Sequence, residues 1–337
     1  MKTFGGTDMK KPGIAFVGSD VHIGGYVKAF GANPNVELIG ACDSDEEAAK
    51  NIAAQGEMKF FTTDYEKLLK NEAVDIIMVC SPDHFHAEHS IAALRAGKHV
   101  LCEKPMTTTL PDCQNMVRAV DETGLIFMAS QFMRFEPIYQ AIKNMYDEGT
   151  IGRAFFVEGS YIHDMSAYYT QKTWRSDPKN PQNILLGGGC HPLDLLRWAV
   201  GSDIEEVHAY SNGYAAPNFV LDDCYIFTCK FKNACMGKVL VTSGCKGHGM
   251  GEGFLSIYGT QGTIWRNQRY LAEGGTKDIP FEKYNAMQAV IDHFVDCVIK
   301  GKKPLIDVRE GAKTVSALVA GVESAESGKP IKVFNEF

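Results

Sequence analysis

From Gly13 onward short apolar runs alternate with segments of helical periodicity: GIAFVG, VKAFGAN, VELIGAC, DEEAAKNIAAQG, DIIMVCS, HAEHSIAALRAG and HVLCE follow one another. Short β-branched or apolar runs bounded by turn residues and separated by helices predict parallel strands covered on both faces. The first part of the chain is thereby constrained to an α/β fold with a doubly wound sheet. After about Arg134 the texture changes. AFFVEGSYIH, EEVHAYSNGY, DCYIFTCKF, ACMGKVLVTSG and FLSIYGTQGTIW succeed one another with Gly or Asn turns and little helix between. Such a succession predicts an α+β domain on a large, mostly antiparallel open sheet. Two helical patterns close the chain, MQAVIDHFVDCVIKG and REGAKTVSALVAGVESAESG, the second stopping at Gly328 as helices often do. The expected domains are 1–134 and 135–337, with the C-terminal helix able to pack back on the first.

Composition removes several classes of function. The 337 residues are 45% hydrophobic and 22% charged, the proportions of a globular protein rather than of a disordered or collagen-like one. Lys plus Arg number 34 against 41 Asp plus Glu, a net charge of −7 that repels phosphate backbones and argues against a nucleic-acid partner. The ten cysteines sit at irregular spacings and form no CxxC pair, so they read as reduced core residues. No HExxH supports a catalytic metal, and His84, His86 and His89 read as a helix start. The opening MKTFGGTDMKKPG has no apolar stretch of signal-peptide length, and no run approaches the roughly 18 apolar residues of a membrane span. A cytoplasmic protein acting on small molecules is expected.

The first strand and turn read GIAFVGSDVHIGGYVKAF. A dinucleotide fold needs glycine where the backbone nears a pyrophosphate, and the following helix aims its N–H groups at that anion. Gly18, Ser19, Asp20, His22, Ile23 and Gly24 are the candidates here. The GxGxxG fingerprint is not met, since Asp20 stands at the second glycine position and Gly24 comes one residue late. Asp43 ends the second strand run, VELIGACD, where a carboxylate would accept hydrogen bonds from the adenine ribose and repel a 2′-phosphate. NAD is therefore expected over NADP. An alternative reading makes Asp43 the cap of the next helix.

The stretch DIIMVCSPDHFHAEHSIAALRAGKHVLCEKPMTTT delivers Ser81, Pro82, Glu103, Lys104 and Pro105 to the carboxyl edge of the sheet. It resembles the Gfo/Idh/MocA family of nicotinamide-dependent sugar and cyclitol oxidoreductases, whose members carry a similar AGKHVLCEKP segment, and the resemblance runs from Gly13 to about Val333. It implies a Rossmann domain and a substrate-binding domain. Lys104 takes the role of the lysine that reaches the reacting hydroxyl. Ser81, Pro82, Asp83, His86, Glu103 and Gln131 line the cofactor, with Arg134 nearby. Asp83 stands where asparagine is common in the family. In NILLGGGCHPLDLLRW, His191 matches the catalytic histidine and Asp194 a substrate-binding residue, whereas Gly187 replaces the family's aspartate. GSYIHDM and KTWRSDP resemble the segments that bring Tyr161, His163, Asp164, Trp174 and Arg175 to the substrate. If the first is a strand end, Tyr161 and His163 share a face.

The resemblance implies hydride transfer between NAD and a secondary hydroxyl of a sugar, cyclitol or glycoside, with His191 or Lys104 as base. A second reading is an enzyme that retains its NAD and oxidises a glycoside at C3, giving a 3-oxo product or enabling cleavage; Tyr161, Tyr168, Tyr169 and Trp174 would suit a bulky glycoside. A third is a non-catalytic NAD-binding subunit. Relatives commonly pair through the open sheet, so a homodimer or homotetramer is expected.

Overall fold

The computed structural model describes residues 11–165, 174–216, 219–246 and 255–337. Tyr168 and Tyr169, and the opening residues 1–10, lie outside the described residues. The chain divides into two compact units. One comprises the chain up to Phe132 together with Asn285–Ala312 and Phe337, the other Met133–Tyr284 with Lys313–Glu336. The single boundary expected after residue 134 thus becomes several crossings, because residues 285–312 cluster with the first unit.

The first unit holds β1 (Gly13–Val17), α1 (Ile23–Ala32), β2 (Glu37–Cys42), α2 (Glu46–Gln55), β3 (Phe60–Thr62), α3 (Tyr65–Lys70), β4 (Ile76–Val79), α4 (His86–Arg95), β5 (His99–Cys102), α5 (Leu110–Thr123) and β6 (Phe127–Ala129). The strands pair in the order β3-β2-β1-β4-β5-β6, every pairing parallel. β1, β4 and β5 are buried at every position, as strands covered on both faces must be. Helix boundaries follow local chemistry. Asp45 caps α2 by accepting from Glu47 N and Ala48 N, Thr109 caps α5 by accepting from Asp112 N, and Gly124 ends α5 in the left-handed region. The helix Ala286–Lys300 packs against α1, where Asn33 Nδ2 donates to Asp292 Oδ1 at 2.7 Å.

The second unit contains α6 (Pro137–Asp147) and a sheet of β7 (Ala154–Ile162), β8 (Ile204–Asn212), β9 (Cys224–Phe231), β10 (Met236–Thr242), β11 (Ser256–Gly259), β12 (Gly262–Trp265), β13 (Gln268–Leu271), β14 (Gly275–Asp278) and β15 (Ile331–Lys332). Its order is β14-β13-β12-β11-β7-β10-β9-β8-β15, with β7 and β10 the one parallel pairing. Alternation sets its two faces: Tyr225, Phe227, Cys229 and Phe231 are buried along β9 while Ile226, Thr228 and Lys230 are exposed. The helix Cys190–Val200 packs on β7, and Gly321 of the helix Val308–Ser327 lies against the Phe227 ring.

Candidate active site

Register builds the nucleotide edge of the first unit. Val17 pairs with both Cys42 and Val79, Val79 with Cys102, and Cys102 with Ala129. Gly18, Asp43, Ser81, Glu103 and Ser130 therefore leave the carboxyl ends of the strands along one edge, with β1 and β4 flanking the point where strand order reverses. Gly18 has φ 87°, and a Cβ there would lie 2.3 Å from Ser81 N. Only glycine lets the two loops come this close. Beyond it, Ser19 and His22 are exposed, Asp20 and Gly24 half-buried and Ile23 buried. Helix α1 starts at Ile23, its N-cap His22 makes no side-chain cap bond, and its first turn holds no acidic residue.

Asp43 accepts from Asp45 N at 3.0 Å through Oδ1, and no described group bonds Oδ2. The helix cap is Asp45, which removes the alternative reading of Asp43. Gln131 is buried, and its Oε1 has no hydrogen-bond partner among the described residues. A helix start without a side-chain cap, the Asp43 carboxylate and an orphaned buried amide oxygen together fit a dinucleotide.

Lys104 stands just beyond β5, and its neighbours are tied down. Glu103 Oε2 accepts from Lys104 N at 2.6 Å, Glu103 Oε1 accepts from Tyr26 Oη at 2.8 Å, and Tyr26 Oη lies 2.5 Å from Ser130 Oγ. Burial, then the nearby Glu103 charge, keeps the Tyr26 phenol well above its ordinary pKa and hence a donor. Both carboxylate oxygens of Glu103, expected from sequence to line the cofactor, are engaged within the unit, which gives it a positioning part. Both ring nitrogens of His86 are likewise engaged within the unit. It is buried, with Nδ1 2.7 Å from Pro105 O and Nε2 2.7 Å from Ser81 O. Ser81 is buried with its Oγ 2.9 Å from His89 Nδ1, and Pro82 opens the following turn.

The second unit gathers the other expected residues. Tyr161 and His163 share a face at the end of β7, their rings stacked at 5.7 Å, and the His191 ring stacks on Tyr161 at 6.1 Å. A Cβ on Gly188 would fall 2.6 Å from the Tyr161 ring, so glycine is what allows this approach. Asp164 bridges Gly244. His191 lies in the first turn of the helix Cys190–Val200 and is buried. At Gly187 the space a side chain would take is filled by Gln182, whose Nε2 would be 2.6 Å from a Cβ. Arg175 is buried with its guanidinium 4.5 Å from the Trp174 ring centre, and its carbonyl accepts from Gln182 N.

Asp194 differs from expectation. Its carboxylate receives Arg134 Nε at 2.7 Å, Arg134 Nη2 at 2.8 Å and Thr314 Oγ1 at 3.0 Å. A carboxylate so engaged holds its helix in place, and Arg134, expected near the nicotinamide, is its partner. Asn183 was not singled out from sequence. It caps the turn Ile184–Gly187 and donates from Nδ2 to Tyr225 Oη at 3.2 Å; Asn before a short apolar run was the available signal. Among the described residues no group of three His, Cys, Asp or Glu side chains could hold a metal.

Residues 13–131 match the model of the oxidoreductase family with an NAD-binding Rossmann fold, and residues 139–265 the GFO/IDH/MocA C-terminal domain. The chain is 35% identical over 182 residues to inositol 2-dehydrogenase 2 of Saccharopolyspora erythraea, an alignment spanning 52% of this chain and 51% of that relative. It thus spans about half the length of this relative. Over 316 residues it is 23% identical to the scyllo-inositol 2-dehydrogenase (NAD(+)) of Bacillus subtilis, 89% of this chain and 90% of the relative. Levoglucosan dehydrogenase in complex with NADH and levoglucosan has the same fold, with a TM-score of 0.88 at 22% identity over 97% of this chain and 100% of that one.

Proposed function

Because this chain belongs to the GFO/IDH/MocA family of NAD-binding oxidoreductases, we propose that it oxidises a secondary hydroxyl of a sugar or cyclitol, with Lys104 and His191 acting on that hydroxyl. The observation that carries the reading is the anchoring of Glu103 by Tyr26, itself bonded to Ser130, which holds the backbone of Lys104 at the carboxyl edge of the nucleotide sheet. NAD would be held by the turn from Gly18 to Gly24, by Asp43 and by Gln131. Bound NAD⁺ supplies the hydride acceptor.

Lys104, as an ammonium, holds the alcohol oxygen and stabilises the charge that develops as the proton leaves. His191 takes that proton at an imidazole nitrogen. The stack on Tyr161 fixes the plane of its ring. Tyr161 and His163 contact the ring of the substrate, and Trp174 and Arg175 close over it. The names of the relatives support cyclitols and anhydrosugars as the first compounds to try.

The same family membership supports a homo-oligomer paired through the outer face of the large sheet. That face exposes Tyr210, Ile226 and Met236, while its charges are paired as Lys238 with Glu158 and Lys230 with Glu206. Ten free cysteines, most of them buried, support a reducing compartment such as the cytoplasm. Among the described residues no helix is long and apolar enough to cross a membrane.

The test is mass spectrometry of the purified protein for bound nucleotide, then a screen of polyols, aldoses and glycosides for keto products. Reduction of added NAD⁺ by a cyclitol or aldose is expected. Turnover of glycosides alone, without added NAD⁺, would replace this reading with that of a retained-cofactor enzyme.

A further inference from the structure

A neutral imidazole has one N–H and one lone pair, so it donates at one nitrogen and accepts at the other. His86 is offered two acceptors and no donor, since Pro105 O lies 2.7 Å from Nδ1 and Ser81 O 2.7 Å from Nε2. A neutral ring would set a lone pair against a carbonyl oxygen at hydrogen-bond distance in a site with 1% exposure. Only the imidazolium donates to both. His99, in the same unit, shows the opposite arrangement: its Nδ1 accepts from Ile126 N at 3.0 Å, and burial lowers its pKa to about 4.

A buried cation needs a counter-charge. Asp83 is buried in the turn before α4, where its backbone carbonyl accepts from His86 N, and among the groups acting on the ring it is the carboxylate, alongside the Cys102 thiol of β5. His89 lies on the same helix, its pKa lowered by burial and further by the His86 charge, against the opposing pull of Glu88 and Asp43.

We propose that His86 is held as an imidazolium with Asp83 as its counter-ion, and that its two N–H groups tie the loop after β4 to the loop after β5, positioning Lys104. Pro105, the residue it grips, directly follows Lys104. Burial alone would lower its pKa, but Cys102, Asp83 and the Pro105 carbonyl outweigh burial and raise it to about 10. The charge state stands on the two carbonyl contacts; the consequence for catalysis rests on the function proposed for Lys104.

The experiment is ¹⁵N NMR of the histidine-labelled full chain, with His86→Gln to assign the ring, followed from about pH 6 to about pH 9. His86 is expected to show two protonated nitrogens throughout. Asp83→Asn is expected to move its titration into that window. In the same preparations Asp83→Asn is expected to bring the alkaline fall of kcat to lower pH, and His86→Gln to lower kcat roughly ten- to a hundredfold with little change in NAD affinity. A singly protonated His86 at neutral pH in the wild type, or an Asp83→Asn variant with an unmoved titration, overturns the proposal. Should His86→Gln fail to fold, Asp83→Asn supplies both readouts. A doubly protonated His86 in a protein that turns over no polyol, aldose or glycoside would instead count against the proposed function.

Discussion

The carboxylate of Asp194 takes two hydrogen bonds from Arg134 and one from Thr314, with side chains 1% and 2% exposed for the two ions. Arg134 also lies 5.9 Å from the centre of the Trp198 ring, on the helix that carries His191. Removing one partner leaves a buried charge without compensation, so Asp194→Ala is expected to cost roughly 3–5 kcal/mol in urea unfolding. An Asp194→Ala protein of unchanged stability but weakened substrate affinity would return Asp194 to the substrate. Lys104 and His191 could be singled out from sequence because each stands inside a short local motif. The partner of Asp194 could not, because Arg134 is distant in the chain and only folding brings the pair together. Gln182 was illegible for a similar reason: nothing local says that it fills the space beside Gly187.

Among the elements, α1 does two things. Its start faces the nucleotide edge, and one turn later Tyr26 reaches the Glu103 and Ser130 side chains beside Lys104. Tyr26→Phe keeps the ring and removes the donor, leaving one oxygen of a buried carboxylate unsatisfied. The expected cost is about 1–3 kcal/mol, accompanied by a fall in kcat. An unchanged kcat would show that Glu103 does not set the Lys104 loop. Most elements were readable from local pattern: short, mostly apolar runs for β1, β4 and β5, alternation for β9 and β10, a glycine stop at Gly328. The hairpin β13–β14 was not, since its residues are half-buried or exposed and show no apolar alternation. Nor does periodicity say that the helix Ala286–Lys300 belongs with α1, because an apolar stripe does not name the surface it covers.

For the whole molecule, two buried histidines set opposite limits on stability with pH. The His86 pKa is raised, so its contribution is fully present below the ordinary value of 6.5 and is lost as pH rises through about 10. The His99 pKa is lowered by burial, so its contribution is present above 6.5 and is lost as pH falls through about 4. Urea midpoints measured across pH are expected to peak near neutrality and fall on both sides. A midpoint that keeps rising above pH 7 would contradict the His86 assignment. The change of texture near Arg134 marks where the parallel sheet gives way to the mostly antiparallel one, whereas which part of the closing helices joins which unit, 285–312 the first and 313–336 the second, is decided by packing rather than by local pattern.

In the proposed reaction a carbon-bound hydrogen of a polyol leaves as hydride while Lys104 and His191 act on its hydroxyl. The most direct measurement is mass spectrometry of the nicotinamide after the protein is incubated with NAD⁺ and a cyclitol or aldose deuterated at its carbinol carbons, in the wild type and in Lys104→Met and His191→Ala. One deuterium on the nicotinamide in the wild type, with its rate of appearance reduced at least a hundredfold in each variant, is the predicted result. Deuterium retained on the polyol or lost to water, or transferred at full rate by either variant, would contradict it.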